Sequence, residues 1–381
     1  MQYPIYLDYN ATTPCHQEVI DAMMPYFGQH FGNASSKSHP YGWVAEEAVE
    51  TARQKVAKLI GAKSKEIIFT SGATESANLA IKGIHEVYVG ERIHIITCAT
   101  EHKAVLDPIQ KLEIKGAEVT YLPVNQYGMI DLGHLNDSIK ANTKMIALMW
   151  ANNETGVLHP INQIAEIAEK HGIIFFTDAV QVAGKIPLST AGIHLMAISA
   201  HKFYGPKGIG ALFIRHNHPL PKPLPIVEGG GHEKGFRSGT LNVPAIVGFG
   251  KAAEISLKNS AEEAKRLGVL RDQLEGEILN LAGTSLNGHR ESRLPHVSNI
   301  AFAGVEGEEL LRRVNLKVAV SSGSACTSIS PKPSHVLQAM GLSPELGKAS
   351  LRFSLGQFTT ASDIEQAVAW VKQQVLELRK L

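Results

Sequence analysis

Cysteine is scarce in this chain: three residues, Cys15, Cys98 and Cys326, among 381. An odd number at wide spacing excludes a disulfide framework, and no C-x-x-C pair offers a zinc site. Free thiols of this kind predict a reducing compartment, the cytoplasm. Long apolar runs are also missing. None approaches the ~20 residues that span a bilayer. The opening Met1-Gln2-Tyr3-Pro4-Ile5-Tyr6 has neither the basic nor the apolar region of a secretory leader. Charge of one sign is absent as well. With 37 basic and 36 acidic side chains the net is +1, which predicts neither a nucleic-acid partner nor a membrane surface. There is no internal repeat and no low-complexity tract.

What remains is a chain 44% apolar, long enough for more than one core, so two domains are expected. Val44, Ala48, Ala52, Val56 and Leu59 recur at helical spacing and stop at Gly61. Glu66 to Thr70 then reads as a strand. It breaks at Ser71-Gly72 and restarts as a helix through Ala77, Ala80 and Ile81. The alternation continues, with strands at Ile93–Thr97, Val119–Leu122, Met145–Trp150, Ile173–Thr177 and Leu195–Ile198. Helices lie between them at Ala104–Lys111, Leu132–Ile139 and Ile161–His171. Short continuous apolar strands are covered on both faces, which implies an α/β fold with a mainly parallel sheet. Gly208–Ile214 returns too soon for a crossover and predicts a local antiparallel pair. Pro219–Gly235, dense in proline and glycine, reads as a loop. A helical pattern from Val243-Pro244 to Leu281, broken near Asn259-Ser260, is the candidate domain connection. The last third has strands at Val297–Phe302, Val318–Val320 and Ser350–Phe353, and a helix at Glu308–Val314. A final helix, Ser362–Leu378, has Thr360 or Ser362 as its cap.

In parallel sheets ligands sit beyond the carboxyl ends of the strands. Collecting the polar residues there gives Ser71-Gly72-Ala73-Thr74-Glu75, Glu101-His102, Asn152-Asn153-Glu154-Thr155-Gly156, Asp178-Ala179-Val180-Gln181 and Ser199-Ala200-His201-Lys202. Each alone has an ordinary reading: a helix cap, a packed histidine, turn residues, a lysine reaching solvent. The first turn carries neither G-x-G-x-x-G nor G-x-x-x-x-G-K-[ST], which argues against a nucleotide oxidoreductase. His216-Asn217-His218 lacks further ligands, so no metal site is expected. Together the strand ends are chemically consistent. An imine-forming lysine, a carboxylate for a ring nitrogen, an imidazole for a ring face and an anion cradle are what pyridoxal phosphate requires.

With these motifs the chain resembles the cysteine desulfurase family of fold-type I pyridoxal-phosphate enzymes. The resemblance runs from Leu7-Asp8-Tyr9-Asn10-Ala11-Thr12-Thr13-Pro14 to Arg352-Phe353-Ser354-Leu355-Gly356, with Arg237-Ser238-Gly239-Thr240 between. Gly229-Gly230-Gly231-His232-Glu233 and Ser321-Ser322-Gly323-Ser324-Ala325-Cys326-Thr327-Ser328 resemble the nitrogen-fixation and housekeeping iron–sulfur cluster subgroup. The resemblance implies a fold-type I transferase architecture: a large domain, 15–256, with a mainly parallel seven-stranded sheet, and a smaller α/β domain, 1–14 with 257–381. It implies that Lys202 holds the cofactor as a Schiff base, Asp178 pairs with its ring nitrogen and His102 stacks on the ring. Gln181 and Asn153 would contact the phenolic oxygen side. Ala73, Thr74, Ser199 and His201 would hold the phosphate, with Thr240 reaching it from the other subunit of a homodimer. Asn33 and Arg352 would bind the substrate carboxylate.

Free cysteines are most often small buried hydrophobes, and Cys15 and Cys98 take that reading. Cys326 differs, because its serine, glycine, alanine and threonine neighbours form no core pattern. On spacing alone its two readings are about even. The resemblance makes it the nucleophile that takes sulfur from L-cysteine, leaving alanine and an enzyme persulfide for an iron–sulfur scaffold or another acceptor protein. Transient ligation of a nascent cluster is the one metal role it implies for Cys326. The alternatives are a selenocysteine lyase, a related aminotransferase, or a catalytically silent assembly scaffold. The chain ends at Arg379-Lys380-Leu381, short of relatives whose C-terminal extension docks the scaffold, so the acceptor stays open.

Overall fold

The computed structural model describes residues 3–322 and 333–380; the expectation for Cys326 lies outside them. A short strand, β1 (Ile5–Tyr6), comes first. Then β2 (Ile67–Thr70), β3 (His94–Cys98), β4 (Glu118–Leu122), β5 (Thr143–Ala147), β6 (Ile174–Asp178), β7 (Leu195–Ser199) and β8 (Gly210–Ile214) form one seven-stranded sheet in the order 2-8-7-6-5-3-4. Neighbours from β7 to β4 are parallel, whereas β8 is antiparallel to both β7 and β2. Two reversals cancel, so β2 points the same way as β3 to β7. The carboxyl ends of β2, β3, β5, β6 and β7 therefore open on one side.

Side chains on successive strand residues face opposite ways. Phe175, Met196, Ile198 and Phe213 pack into one buried cluster with the helices Pro40–Ile60, Ile161–Lys170 and the first part of Val243–Leu279. Phe176, Leu195, Ala197 and Leu212 pack on the other face with the helices Ala73–Val87 and Lys103–Ile114. A buried layer on each face explains why most of these strands read as unbroken apolar runs. The Pro40–Ile60 helix ends where expected, at Gly61 with φ 69°, a left-handed conformation that glycine adopts without a Cβ clash.

A third cluster joins Leu270, Leu274 and Ile278 to Ile300, Phe302, Leu351, Phe353 and Ile364. Here β9 (Thr284–Leu286), β10 (Val297–Phe302) and β12 (Ser350–Ser354) form an antiparallel sheet, and β11 (Val318–Ala319) pairs in parallel with β1. The predicted break at Asn259-Ser260 is not there. The helix Val243–Leu279 runs through 37 residues without interruption. Asn and Ser cost only a few tenths of a kcal/mol in a helix interior, and packing of both ends outweighs that. The predicted Met145–Trp150 strand is displaced to Thr143–Ala147, because the chain beyond turns into the site. Thr360, not Ser362, caps the final helix, in a reciprocal box with Asp363.

Candidate active site

A cavity of about 650 Å³ lies at the carboxyl ends of the parallel strands. Each of the five strand-end segments contributes: Ser71 to Glu75 after β2, His102 after β3, Asn153 and Glu154 after β5, Asp178 and Gln181 at and after β6, and Ser199, His201 and Lys202 at and after β7. Asn10 to Thr12 and Arg352 line it as well. Ala73, Thr74, His102, Asn153, Asp178, Gln181, Ser199, His201, Lys202 and Arg352 thus meet in one place. Asn33 and Thr240 do not line it, and both are exposed.

Lys202 ends a short 3-10 turn that follows β7. Its Nζ donates to the carbonyls of Asn10 (2.6 Å) and Ala11 (2.8 Å). His201 bonds Thr12 Oγ1 through Nδ1 (3.1 Å). Burial, with Lys202, Lys207 and Lys185 nearby, pulls the His201 pKa down to about 4, so it is neutral at pH 7. Asp178 is buried, and its Oδ1 accepts the Val180 N–H at 2.9 Å. Burial raises its pKa, against the opposing fields of His102 and Lys202. His102 is lowered by burial in turn, and its Nδ1 accepts the Ala104 N–H (3.1 Å), starting the next helix.

The helix Ala73–Val87 begins at the cavity, has no side-chain cap among the described residues, and presents its N-terminal N–H groups and the positive end of its dipole there. Glu75 would oppose an anion there. However, its carboxylate is tied to Arg237 (2.8 Å) and to the Ser71 N–H (2.8 Å). Burial raises the Glu75 pKa, but these bonds outweigh it and the net shift is downward.

Arg352 is 3% exposed, pairs with Asp8 (2.6 Å) and donates to the Asn153 carbonyl (3.0 Å). Its Nε has no partner among the described residues.

Several participants escaped the sequence reading. His335 lines the cavity and shares a hydrogen bond with the Glu101 carbonyl (3.0 Å). Asn10, within the opening Leu7–Pro14 motif, also joins its side chain to Asn153 O (3.0 Å) and lies 3.0 Å from His296. Nothing local marks either, since partners this far apart meet only in the folded chain. Cys98 is buried, with its thiol pushed up to about 12, and is no nucleophile at neutral pH. Among the described residues no group of three or more His, Cys, Asp or Glu side chains could hold a metal ion.

This sequence and this fold have close counterparts. The profile of the family "Aminotransferase class-V" matches residues 5–367. The chain is 51% identical over its whole length to "Cysteine desulfurase IscS" of Anaeromyxobacter sp. (strain Fw109-5), covering 95% of that protein. Among solved structures it superposes on a "NIFS-LIKE PROTEIN" with TM-score 0.90 at 35% identity, covering 99% of this chain and 100% of the other. It superposes on "SspA in complex with cysteine" with TM-score 0.83 at 36% identity, covering 93% of this chain and 100% of the other. The chain belongs to the class-V aminotransferase family, whose members are pyridoxal-phosphate enzymes. Within that family it is a cysteine desulfurase.

The residues present fit that cofactor. Gln181 Oε1 is a buried acceptor with no partner among the described residues, which the phenolic oxygen side of the ring can supply with a donor. A buried carboxyl, a helix N-terminus and an amine lining one cavity match the donor set of the group.

Proposed function

We propose that this chain removes sulfur from L-cysteine at the Lys202 cavity and carries it as a persulfide on Cys326, releasing L-alanine. The carrying observation is that one cavity holds Lys202, Asp178, His102 and a helix N-terminus, each from a different strand end. Bound pyridoxal phosphate supplies a sink for the electron pair released at the substrate α-carbon.

The chain's own residues do the rest. Ala73, Thr74, Ser199 and His201 hold the phosphate, and Asp178 keeps a proton on the ring nitrogen. His102 would stack on the ring, and Gln181 and Asn153 would contact its phenolic oxygen side. Lys202 Nζ, steered by the Asn10 and Ala11 carbonyls, takes the α-proton and returns a proton to carbon. Arg352, which lines the cavity, orients the substrate carboxylate. The Cys326 thiolate bonds to the substrate sulfur as the Cβ–S bond breaks. The sulfur remains on the enzyme as a persulfide, Cβ gains a proton, and the balance needs no external oxidant.

The division proposed is a large domain, 15–256, and a smaller one, 1–14 with 257–381. The protein works as a homodimer, in which Thr240 reaches the phosphate site of the other subunit. Exposed Phe27, Phe31, Tyr41 and Trp43 (63, 66, 57 and 53% accessible) support such a surface. A sulfur-acceptor protein such as an iron–sulfur scaffold takes the persulfide sulfur, in the cytoplasm. No helix among the described residues is long and apolar enough to cross a membrane.

The test is Lys202→Ala. It is expected to lose the borohydride-reducible cofactor linkage together with alanine formation. Alanine formation at the wild-type rate would overturn the assignment.

A further inference from the structure

A second lysine stands behind the catalytic one. Lys185, in the turn after β6, places Nζ 2.9 Å from His296 Nε2. His296 precedes β10, is 1% exposed, and lies 3.0 Å from Asn10 Oδ1 through the same nitrogen. Asn10 is a junction. Its backbone carbonyl accepts from Lys202 Nζ (2.6 Å) and Gln181 Nε2 (3.1 Å), its N–H donates to Ser354 Oγ (2.9 Å), and its Nδ2 donates to Asn153 O (3.0 Å).

Donor counting fixes the protons. Nδ2 is committed to a carbonyl, so Oδ1 is the end of the Asn10 amide that faces His296 and can only accept. His296 Nε2 must then carry a hydrogen. A nitrogen that is donating cannot also accept from an ammonium, so Lys185 in this arrangement is a neutral amine with its lone pair toward the ring. Should Lys185 take a proton, it loses its lone pair and can only donate. The ring must then move its hydrogen to Nδ1, and the bond to Asn10 Oδ1 is lost.

We infer that Lys185 is a positioning residue: uncharged, it lets His296 hold Asn10 where the Asn10 carbonyl steers Lys202, and protonated, it releases that hold. The surrounding charges fit. Lys202 and His201 approach from the turn after β7, Arg352 (paired with Asp8) from β12, and Arg271 (paired with Asp272) from the long helix. Burial first, then Lys202 and Arg352, bring the Lys185 pKa down to about 7. Burial and the charges of Lys185, Arg271 and Arg352 keep His296 neutral. The switch thus falls within the working pH range. Above about pH 7 the anchor is set, and below it the anchor loosens.

The inference rests on Lys202 being the cofactor lysine, and the two fail separately: Lys202→Ala abolishes the cofactor band, whereas Lys185 variants keep it. The experiment titrates the visible cofactor absorbance of the holoenzyme from pH 5.5 to 9 without substrate, then measures kcat/KM over the same range. A single group with its pKa near 7 leaves about a tenfold loss between pH 8 and pH 6. Lys185→Met cannot compete for His296, so it should lack that acid limb and the matching spectral transition. His296→Gln should lose both as well, by removing the tautomer switch, and serves if Lys185→Met fails to load cofactor. Retention in both variants of the wild-type spectral transition and acid limb overturns the inference.

Discussion

Replacing Glu233 with Gln should destabilise the protein far more than its place in a glycine-rich loop suggests. β2 is an outer strand, paired only with β8, and its free edge would expose backbone groups to other chains. Glu233 and Arg53 cover it. Glu233 Oε2 accepts the Phe69 N–H (2.7 Å), while Arg53 Nη1 donates to Ile67 O (2.9 Å). The two side chains also pair through both oxygens, at 2.7 and 2.8 Å, with only 4% and 1% of each exposed. Removing the Glu233 charge leaves buried Arg53 with only the half-exposed Glu50 (2.9 Å) as counter-charge, and breaking a buried pair costs about 3–5 kcal/mol. With an unfolding entropy of ~2.1 cal/mol/K per residue, or roughly 0.8 kcal/mol/K for this chain, ~4 kcal/mol lowers Tm by about 5 °C. Denaturant unfolding of Glu233→Gln, Arg53→Met and the double variant gives the coupling, expected to exceed about 1 kcal/mol. Because β2 leads into the Ser71–Thr74 cradle, cofactor retention should fall in parallel. A Glu233→Gln loss below about 1 kcal/mol, the value of a surface pair, would refute the reasoning.

Glu154 is buried against Ser334, and burial raises its pKa to about 7. The folded state therefore binds the extra proton between about pH 4.5 and 7, and stability falls as pH rises through that window. Glu154→Gln should gain on the wild type across it, read by unfolding midpoints at matched pH, and a constant difference would contradict this. Asp178→Asn keeps the shape but not the charge. It should cut alanine formation about 10²–10³-fold, the scale for losing one preorganised electrostatic partner, with the cofactor still bound; near-wild-type turnover would show that Asp178 does not hold the ring nitrogen.

Much of the site was legible because its residues follow short, fully buried strands, which announce themselves as apolar runs ending in polar turns. Lys202, Asp178 and His102 each stand at such an end. Long-range partnerships were not legible. Asn10 meets His296 across a separation of 286 residues, and β1 pairs with β11 over only two residues, too few to leave a pattern. Lys185 reads as an ordinary turn lysine until His296 is packed beside it. Asn259-Ser260 misled for a related reason. Local propensity marks a break there, but clusters at both ends of the helix hold it straight through.

The central claim is that the Lys202 cavity delivers cysteine sulfur to Cys326. Its most direct test is peptide mapping by mass after brief treatment with sulfur-labelled L-cysteine, with alanine measured in the same sample. One labelled sulfur on the Cys326 peptide, matched by alanine and absent from Lys202→Ala, is the predicted result. Alanine formed with no label on Cys326, or with the label on Cys15 or Cys98, would contradict it.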